Sequence, residues 1–361
     1  MFKFLIVIRP LGLLYGSAGA FLSPENLVGR SGAKFPPDAG TLSGLILATN
    51  QEQKFTDHQE LKTNLAVAGA FWAESDHPEN FFVPIPRSRI VGEKNKDFDE
   101  WALTNHKWER QHPDLDPEYQ WQSINSWHKQ TSQLKRPEKG KLNDVGKTPW
   151  EFMPILHPYL KDDEKHVRDR DGLFLENAVQ MREDSCLVYL STHKLPDGWY
   201  RFGGENHIVE ITSQVLTEHS SILKLLKQKI GRSFALIAPA VWGSNNLSTR
   251  YPNDVRFSNK RPEMLTDRPE PWRYRVGKGE AQNKRASKLS IGRYAVPAGT
   301  VYVVKHPLDL TWWDFPPEWF SSGEGLPLRQ FGCGLCLPVE IKIEPKVELK
   351  VDQKIKQKGE D

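Results

Sequence analysis

The chain has 361 residues, 38% of them apolar and twelve of them tryptophan, enough to fill the cores of two ordinary domains and too aromatic for a disordered chain. Its net charge of +3 names no partner, and three cysteines are too few for a disulfide scaffold, so a reducing cytoplasm is expected. The apolar run at 1–8 stops at Arg9-Pro10, short of a signal-peptide core, and no later stretch reaches the ~20 apolar residues of a membrane span.

Residues 2–8 are short, branched and apolar, which predicts a buried strand. A glycine-rich loop follows from 12 to 32, carrying Arg30, with Lys34 just beyond. Asp38 is the expected N-cap of a helix beginning near Thr41. Residues 65–74 and 80–86 read as strands joined by the polar turn 75–79. Strand, helix and hairpin in this order make half of a ferredoxin-like unit.

From 87 to 165 the periodicity dissolves. Trp101, Trp108, Trp121 and Trp127 lie there among balanced charges and several prolines, which predicts an irregular insertion with short helices. Strand character returns at 185–191 and 206–212. Ile222, Leu223, Leu226 and Ile230 then share one helical face, with Gly231 as the stop. A buried strand is expected at 233–241, and further strands at 293–305, 332–338 and 339–343. The order strand, helix, strand occurs twice. The predicted fold class is therefore α+β, with an N-terminal domain over 1–213 (insertion about 87–165) and a C-terminal domain over 214–350 (basic insertion 244–292). The lysine-rich end, 351–361, reads as a flexible tail.

Several motifs dissolve on inspection. Gly140 to Thr148 imitates a phosphate-binding loop, but five residues separate its glycines, no strand precedes it, and Pro149 blocks the following helix. Cys333 and Cys336 have the spacing of half a zinc site, but the chain offers no second pair, so two buried small residues in a turn are the simpler expectation. No metal or cofactor is expected. His193, Tyr200 and His207 are close enough in sequence to form the acid–base group of a metal-independent ribonuclease, provided the fold converges them.

The basic segment carries more weight. Between Arg250 and Arg293 twelve Lys or Arg face five acids, a local excess of seven, and most of the twelve are arginine. Tyr251, Phe257, Trp272 and Tyr274 are interleaved with them. Cations that hold phosphates and rings that stack on unpaired bases make single-stranded RNA the expected partner. Glycines at Gly203-Gly204 and at Gly332 and Gly334 would let backbone amides approach such a partner closely, although ordinary turn chemistry explains them as well.

Seven segments in order resemble the third subunit of the Cmr complex, the type III-B CRISPR module of the RAMP superfamily. They are Arg9-Pro10-Leu11, Phe35-Pro36-Pro37 before Thr41-Leu42-Ser43-Gly44, Phe82-Val83-Pro84-Ile85-Pro86, Phe202-Gly203-Gly204-Glu205, Ala238-Pro239-Ala240, the stretch from Ala295 to Tyr302, and Phe331-Gly332-Cys333-Gly334-Leu335. Asn206-His207 depart from the pattern by standing where basic residues are expected, and the resemblance does not extend to 87–165, to which no contacts are assigned.

The resemblance implies two ferredoxin-like (RRM-like) RAMP domains and a subunit without catalytic residues. It implies a grip on the 5′ tag of the guide crRNA, between the large polymerase-like CRISPR subunit and a backbone RAMP subunit, with no membrane involved. The expected RNA-binding residues are Arg9, Arg30 and Lys34 near the first loop; Gly203, Gly204 and His207; Arg250, Arg256, Lys260, Arg261, Trp272, Arg273 and Arg275 in the basic segment; and Arg329, Gly332 and Gly334 at the last loop. A crRNA-processing endoribonuclease of the same superfamily is the alternative, and a purely structural bridge docked through the tryptophan-rich insertion is a third.

Overall fold

A computed structural model describes residues 1–15, 35–138, 140–158, 173–203, 207–258, 262–276, 288–320 and 327–344. The chain is mixed and strand-rich. It opens on β1 (Phe4–Pro10), whose uniform apolarity has a direct cause. Leu5 and Val7 enter one core and Ile6 and Ile8 another, so both faces of the strand are buried along Leu5–Ile8.

Helix α1 (Ala39–Gln53) follows, starting at Asp38 as expected, and buries Leu42 and Ile46. It stops at Lys54, whose φ is +52°. Buried Asn50 accepts the Thr56 N–H at 2.9 Å and donates to the Thr56 carbonyl at 3.1 Å, which fixes the turn into α2 (His58–Asn64). Asp57 caps α2 by accepting the Glu60 N–H at 2.7 Å.

The strands β2 (Val67–Glu74), β3 (Phe82–Pro84), β4 (Trp121–Ser123) and β5 (Val145–Gly146) come next, followed by the hairpin β6 (Trp150–Pro158) and β7 (Leu173–Met181). After them run β8 (Ser185–Ser191), β9 (Gly198–Phe202) and β10 (His207–Val215). One antiparallel sheet takes eight of these in the order β5-β4-β3-β2-β8-β1-β10-β9. The hairpin forms a separate sheet with the two-residue strand Leu14–Tyr15.

The second half begins with the short helix α3 (Ser221–Leu226) and builds a smaller sheet. Its strands are β11 (Ser233–Leu236), β12 (Glu263–Leu265), β13 (Val301–Val303) and β14 (Cys336–Pro338), in the order β12-β13-β11-β14. Among the described residues, the helix between β11 and β12 is α4 (Val255–Ser258), and between β13 and β14 there are single 3₁₀ turns.

Counting each unit's four main strands along the chain, both sheets run fourth, first, third, second: β10-β1-β8-β2 and β14-β11-β13-β12. All neighbours are antiparallel. The face of the first sheet opposite α1 packs on the second sheet. Phe2, Leu5 and Val7 share one core with Phe234, Trp242, Tyr302 and Trp312, and the Phe2 and Trp312 rings stack at 5.9 Å.

Several expectations shift. The supposed hairpin 65–86 forms a ladder at a single pair, Trp72 opposite Phe82, because β2 pairs along its length with β8, more than a hundred residues later. The segment 87–165 supplies β4 and β5 to the main sheet and two further hairpins, Arg89–Val91 with Phe98–Glu100 and Ala102–Thr104 with Lys107–Glu109. Its Trp127 is 2% exposed and donates its indole N–H to the Pro338 carbonyl at 2.8 Å, tying the segment to the second sheet. The basic segment is not a plain insertion either, since it contains β12. The expected strand 293–305 is split into Arg293–Ala295 and β13.

Candidate nucleic-acid interface

The Pro10 end of β1 gathers the strongest candidates. Leu14–Tyr15 pairs with β7 there, and the Tyr15 ring stacks on His207 with centroids 4.8 Å apart and planes 23° off parallel. The β9–β10 turn arrives at Gly203, where φ is +78° and a Cβ would meet the Tyr15 carbonyl at 3.1 Å. Glycine is required by both conformation and space. On the other side Tyr189, wholly buried, donates its hydroxyl to the Pro37 carbonyl at 2.6 Å, and Phe35 meets the edge of Trp150 at 5.2 Å. Arg30 and Lys34 lie outside the described residues. The residues flanking them, Tyr15 and Phe35, are both held at this end.

Arg9 belongs to the same strand end but to the opposite face, because the ladder pairs it with Glu210 rather than with His207. Its guanidinium lies 3.9 Å from the Glu210 carboxylate and donates to the Ser75 carbonyl at 3.3 Å. A cation held this way has fewer donors left for phosphate.

The expected base-stacking segment is arranged differently. Phe257 is fully buried, Trp272 and Tyr274 are each 9% exposed, and Tyr251 packs on the core. Among the described residues the rings of this segment point inward, while Arg250, Arg256 and Arg268 are exposed and Arg293 is buried, donating to the Trp242 carbonyl at 3.0 Å. Arg256 is committed within the fold. Its side chain forks onto Asp254 at 2.8 and 2.9 Å and lies over Trp319 at 5.2 Å. The hydrogen bonds from Arg256 hold the Asp254 carboxyl below its ordinary range. Arg273 packs its guanidinium against Gly292, where a Cβ would lie 2.8 Å from Nε.

Arg250 is exposed, and its carbonyl is pinned by the Tyr302 hydroxyl at 2.6 Å. Arg275 lies in a two-residue strand opposite Leu289. Lys260, Arg261 and Gly204 lie outside the described residues, as does the 351–361 tail.

The last glycine-rich loop is an internal joint. Gly332 (φ +66°) sits on β2, where a Cβ would come within 2.5 Å of the Ala68 Cβ. Gly334 (φ +66°) sits on Trp242, where a Cβ would come within 2.5 Å of the indole. The close approach predicted for these glycines is real, but the partner is the chain itself. Beside them Arg329 lies over Trp312 and Trp313, at 5.5 and 5.4 Å, and burial pushes its guanidinium below its ordinary range. Gln330 reaches the Thr63 carbonyl at 2.8 Å at the end of α2.

Cys333 and Cys336 are both buried, and Cys333 Sγ accepts the Val241 N–H at 3.1 Å. Burial pushes the Cys333 thiol up to about 12.

The ribonuclease group is not assembled. Phe4 of β1 lies opposite Ser191, two residues before His193, and Pro10 lies opposite Val209, two residues after His207. The two histidines therefore flank opposite ends of β1, about 20 Å apart at 3.3 Å per residue. The Tyr200 hydroxyl is taken by the Pro196 carbonyl at 2.6 Å, and burial lowers the His193 imidazole. Among the described residues no cluster of three or more His, Cys, Asp or Glu could hold a metal ion, and no helix is long and apolar enough to cross a membrane.

The residues at this candidate site that sequence reasoning missed are Tyr15 and Phe35. Tyr15 had no periodicity to mark it, and its role comes from a two-residue pairing with β7. No protein-family description matches the sequence, and no curated protein matches it. Among solved structures the fold is similar to a chain of the type III-B Cmr-beta complex bound to cognate target RNA (12% identity, 83% of this chain and 86% of that one, TM-score 0.44). It is similar also to a chain of the Csm3–Csm4 subcomplex in the type III-A CRISPR-Cas interference complex (10% identity, 94% and 99%, TM-score 0.41). A third similar chain comes from the Csm1–Csm4 cassette in complex with AMPPNP (12% identity, 94% and 98%, TM-score 0.40).

Proposed function

We propose that this chain is a non-catalytic, RNA-gripping subunit of a type III-B CRISPR effector complex. In this role it holds the 5′ tag of the guide crRNA and bridges the large polymerase-like subunit to a backbone RAMP subunit. The observation that carries the reading is the Pro10 end of β1. The flanks of the loop bearing Arg30 and Lys34 converge there with the Gly203 turn and the stacked pair Tyr15–His207. Tyr15 is itself buried beneath this pair, so the half-buried His207 ring is the face left for an unpaired base, and Arg30 and Lys34 of the intervening sequence supply charge for its phosphates in this reading.

The repeated strand order supports the same reading. In this reading each unit is a reduced ferredoxin-like domain, and what supports it is the shared strand order, with β9 standing in sequence where the first unit's second crossover helix would be. Repeated units of this kind match the two domains that the sequence resemblance implies. The non-catalytic part of the proposal is supported by the separation of His193 from His207.

The test is guide-RNA retention by complexes assembled with Arg30→Ala, Lys34→Ala and His207→Ala combined. Retention should fall, and the salt dependence of binding should flatten by about 0.7 log units per lost phosphate contact. Unchanged retention and salt dependence would remove the assignment.

A further inference from the structure

A groove of about 630 Å³ runs between the segment 84–121 and the second sheet. Its volume suits a nucleotide-sized ligand. The first wall contributes Trp101, Tyr119, Trp121 and Arg87, and the second contributes Asp267 and Glu270. The walls are fixed to each other. The Arg87 N–H donates to the Gly299 carbonyl at 2.9 Å, and a Cβ on Gly299 would lie 3.0 Å from the Ile85 carbonyl. Arg110 lies over the Trp101 ring at 5.1 Å, and the Trp121 indole donates to Thr148 Oγ1 at 3.1 Å, so both rings are pre-positioned.

Across the groove Arg87 Nη1 meets Asp267 Oδ2 at 3.2 Å. Both side chains are partly exposed, at 35% and 61%, so neither is locked away from a ligand. Arg87 Nε is buried without a hydrogen-bond partner, so the guanidinium is held through one arm and gains a bond if it turns.

We propose that this groove holds an unpaired guanine base, an inference that rests on the RNA-gripping reading for the source of that base. Guanine carries two donors, N1–H and N2–H, on one edge and two acceptors, O6 and N7, beside them. A carboxylate accepts from the first pair and a guanidinium donates to the second. Arg87 and Asp267 present those two groups side by side, with aromatic rings for the base to stack on. Adenine has an acceptor at N1 and a single amino donor, so it would leave one oxygen of Asp267 unmet.

The experiment uses the full chain. Tryptophan fluorescence is followed on adding GMP or AMP, and binding is measured for a single strand of ten uridines and for the same strand with one central guanosine. GMP should quench at about tenfold lower concentration than AMP, and the guanosine strand should bind about tenfold more tightly. Asp267→Asn and Trp101→Leu should each abolish that preference while leaving the ten-uridine affinity as it was.

Equal response to GMP and AMP, or a preference that survives Asp267→Asn, overturns the pocket. If GMP binds and neither RNA does, the pocket stands and the RNA-gripping reading falls. If both RNAs bind alike and GMP does not bind, the pocket falls and the RNA-gripping reading stands.

Discussion

A Cβ placed on Gly332 would lie 2.5 Å from the Cβ of Ala68 and 2.6 Å from its Cα, so the last loop of the second unit is seated directly on the backbone of β2. Gly332→Ala therefore clashes with a sheet that cannot move aside, and it strains a residue at φ +66°. The expected loss is about 3 kcal/mol, combining the left-handed penalty with overpacking. Denaturant unfolding of the isolated chain measures it. A variant of unchanged stability that loses only RNA would return this loop to the interface.

Arg256 and Asp254 form a structural fork rather than a phosphate contact. Asp254→Asn should cost about 1 kcal/mol at pH 7, since the pair is partly exposed. The sign follows from the lowered carboxyl: its contribution is complete above the unfolded value near 4 and disappears as pH falls through the lower folded value. Thermal unfolding of the two proteins should thus differ at pH 7, with the difference shrinking as pH falls below 4. A gap that keeps its full size in acid contradicts the fork.

Burial pushes the Cys186 thiol up to about 11 and the Cys333 thiol up to about 12, and lifts Cys336 well above its ordinary value. Thiolate is the reactive form, so at pH 8 a disulfide reagent should find no fast thiol in the native chain and all three after denaturation. A fast native reaction at Cys333 or Cys336 would reopen the metal or redox reading of that pair.

Arg329 lies over Trp312 and Trp313 with its guanidinium partly desolvated. Arg329→Ala should lower stability by about 1–2 kcal/mol through lost cation–π and stem packing, with Arg329→Lys recovering part of it. Equilibrium unfolding of the three proteins decides this, and a neutral alanine variant would free Arg329 for an external partner.

The central strands were legible because two-sided burial leaves an unbroken apolar run, as at Phe4–Pro10 and Ser185–Ser191. Their pairing was not. Nothing local tells Val67–Glu74 to prefer a strand a hundred residues away over its neighbour at Phe82–Pro84. The same limit governs the site. A glycine announces close approach without saying to what, and at Gly203, Gly332 and Gly334 alike the partner is the chain itself: the Tyr15 carbonyl, Ala68 and Trp242. Rings alternating with cations likewise fit both an RNA surface and a chain lying on its own core, and burial of Phe257, Trp272 and Tyr274 selects the second.

The most direct measurement is ultraviolet crosslinking of the assembled complex, with the attached peptides mapped onto this chain. Crosslinks from the 5′ tag should fall on the peptides spanning Tyr15 to Phe35 and on the one containing His207. Crosslinks confined to other subunits, or confined on this chain to the loop from Phe331 to Leu335, would contradict the tag-gripping role.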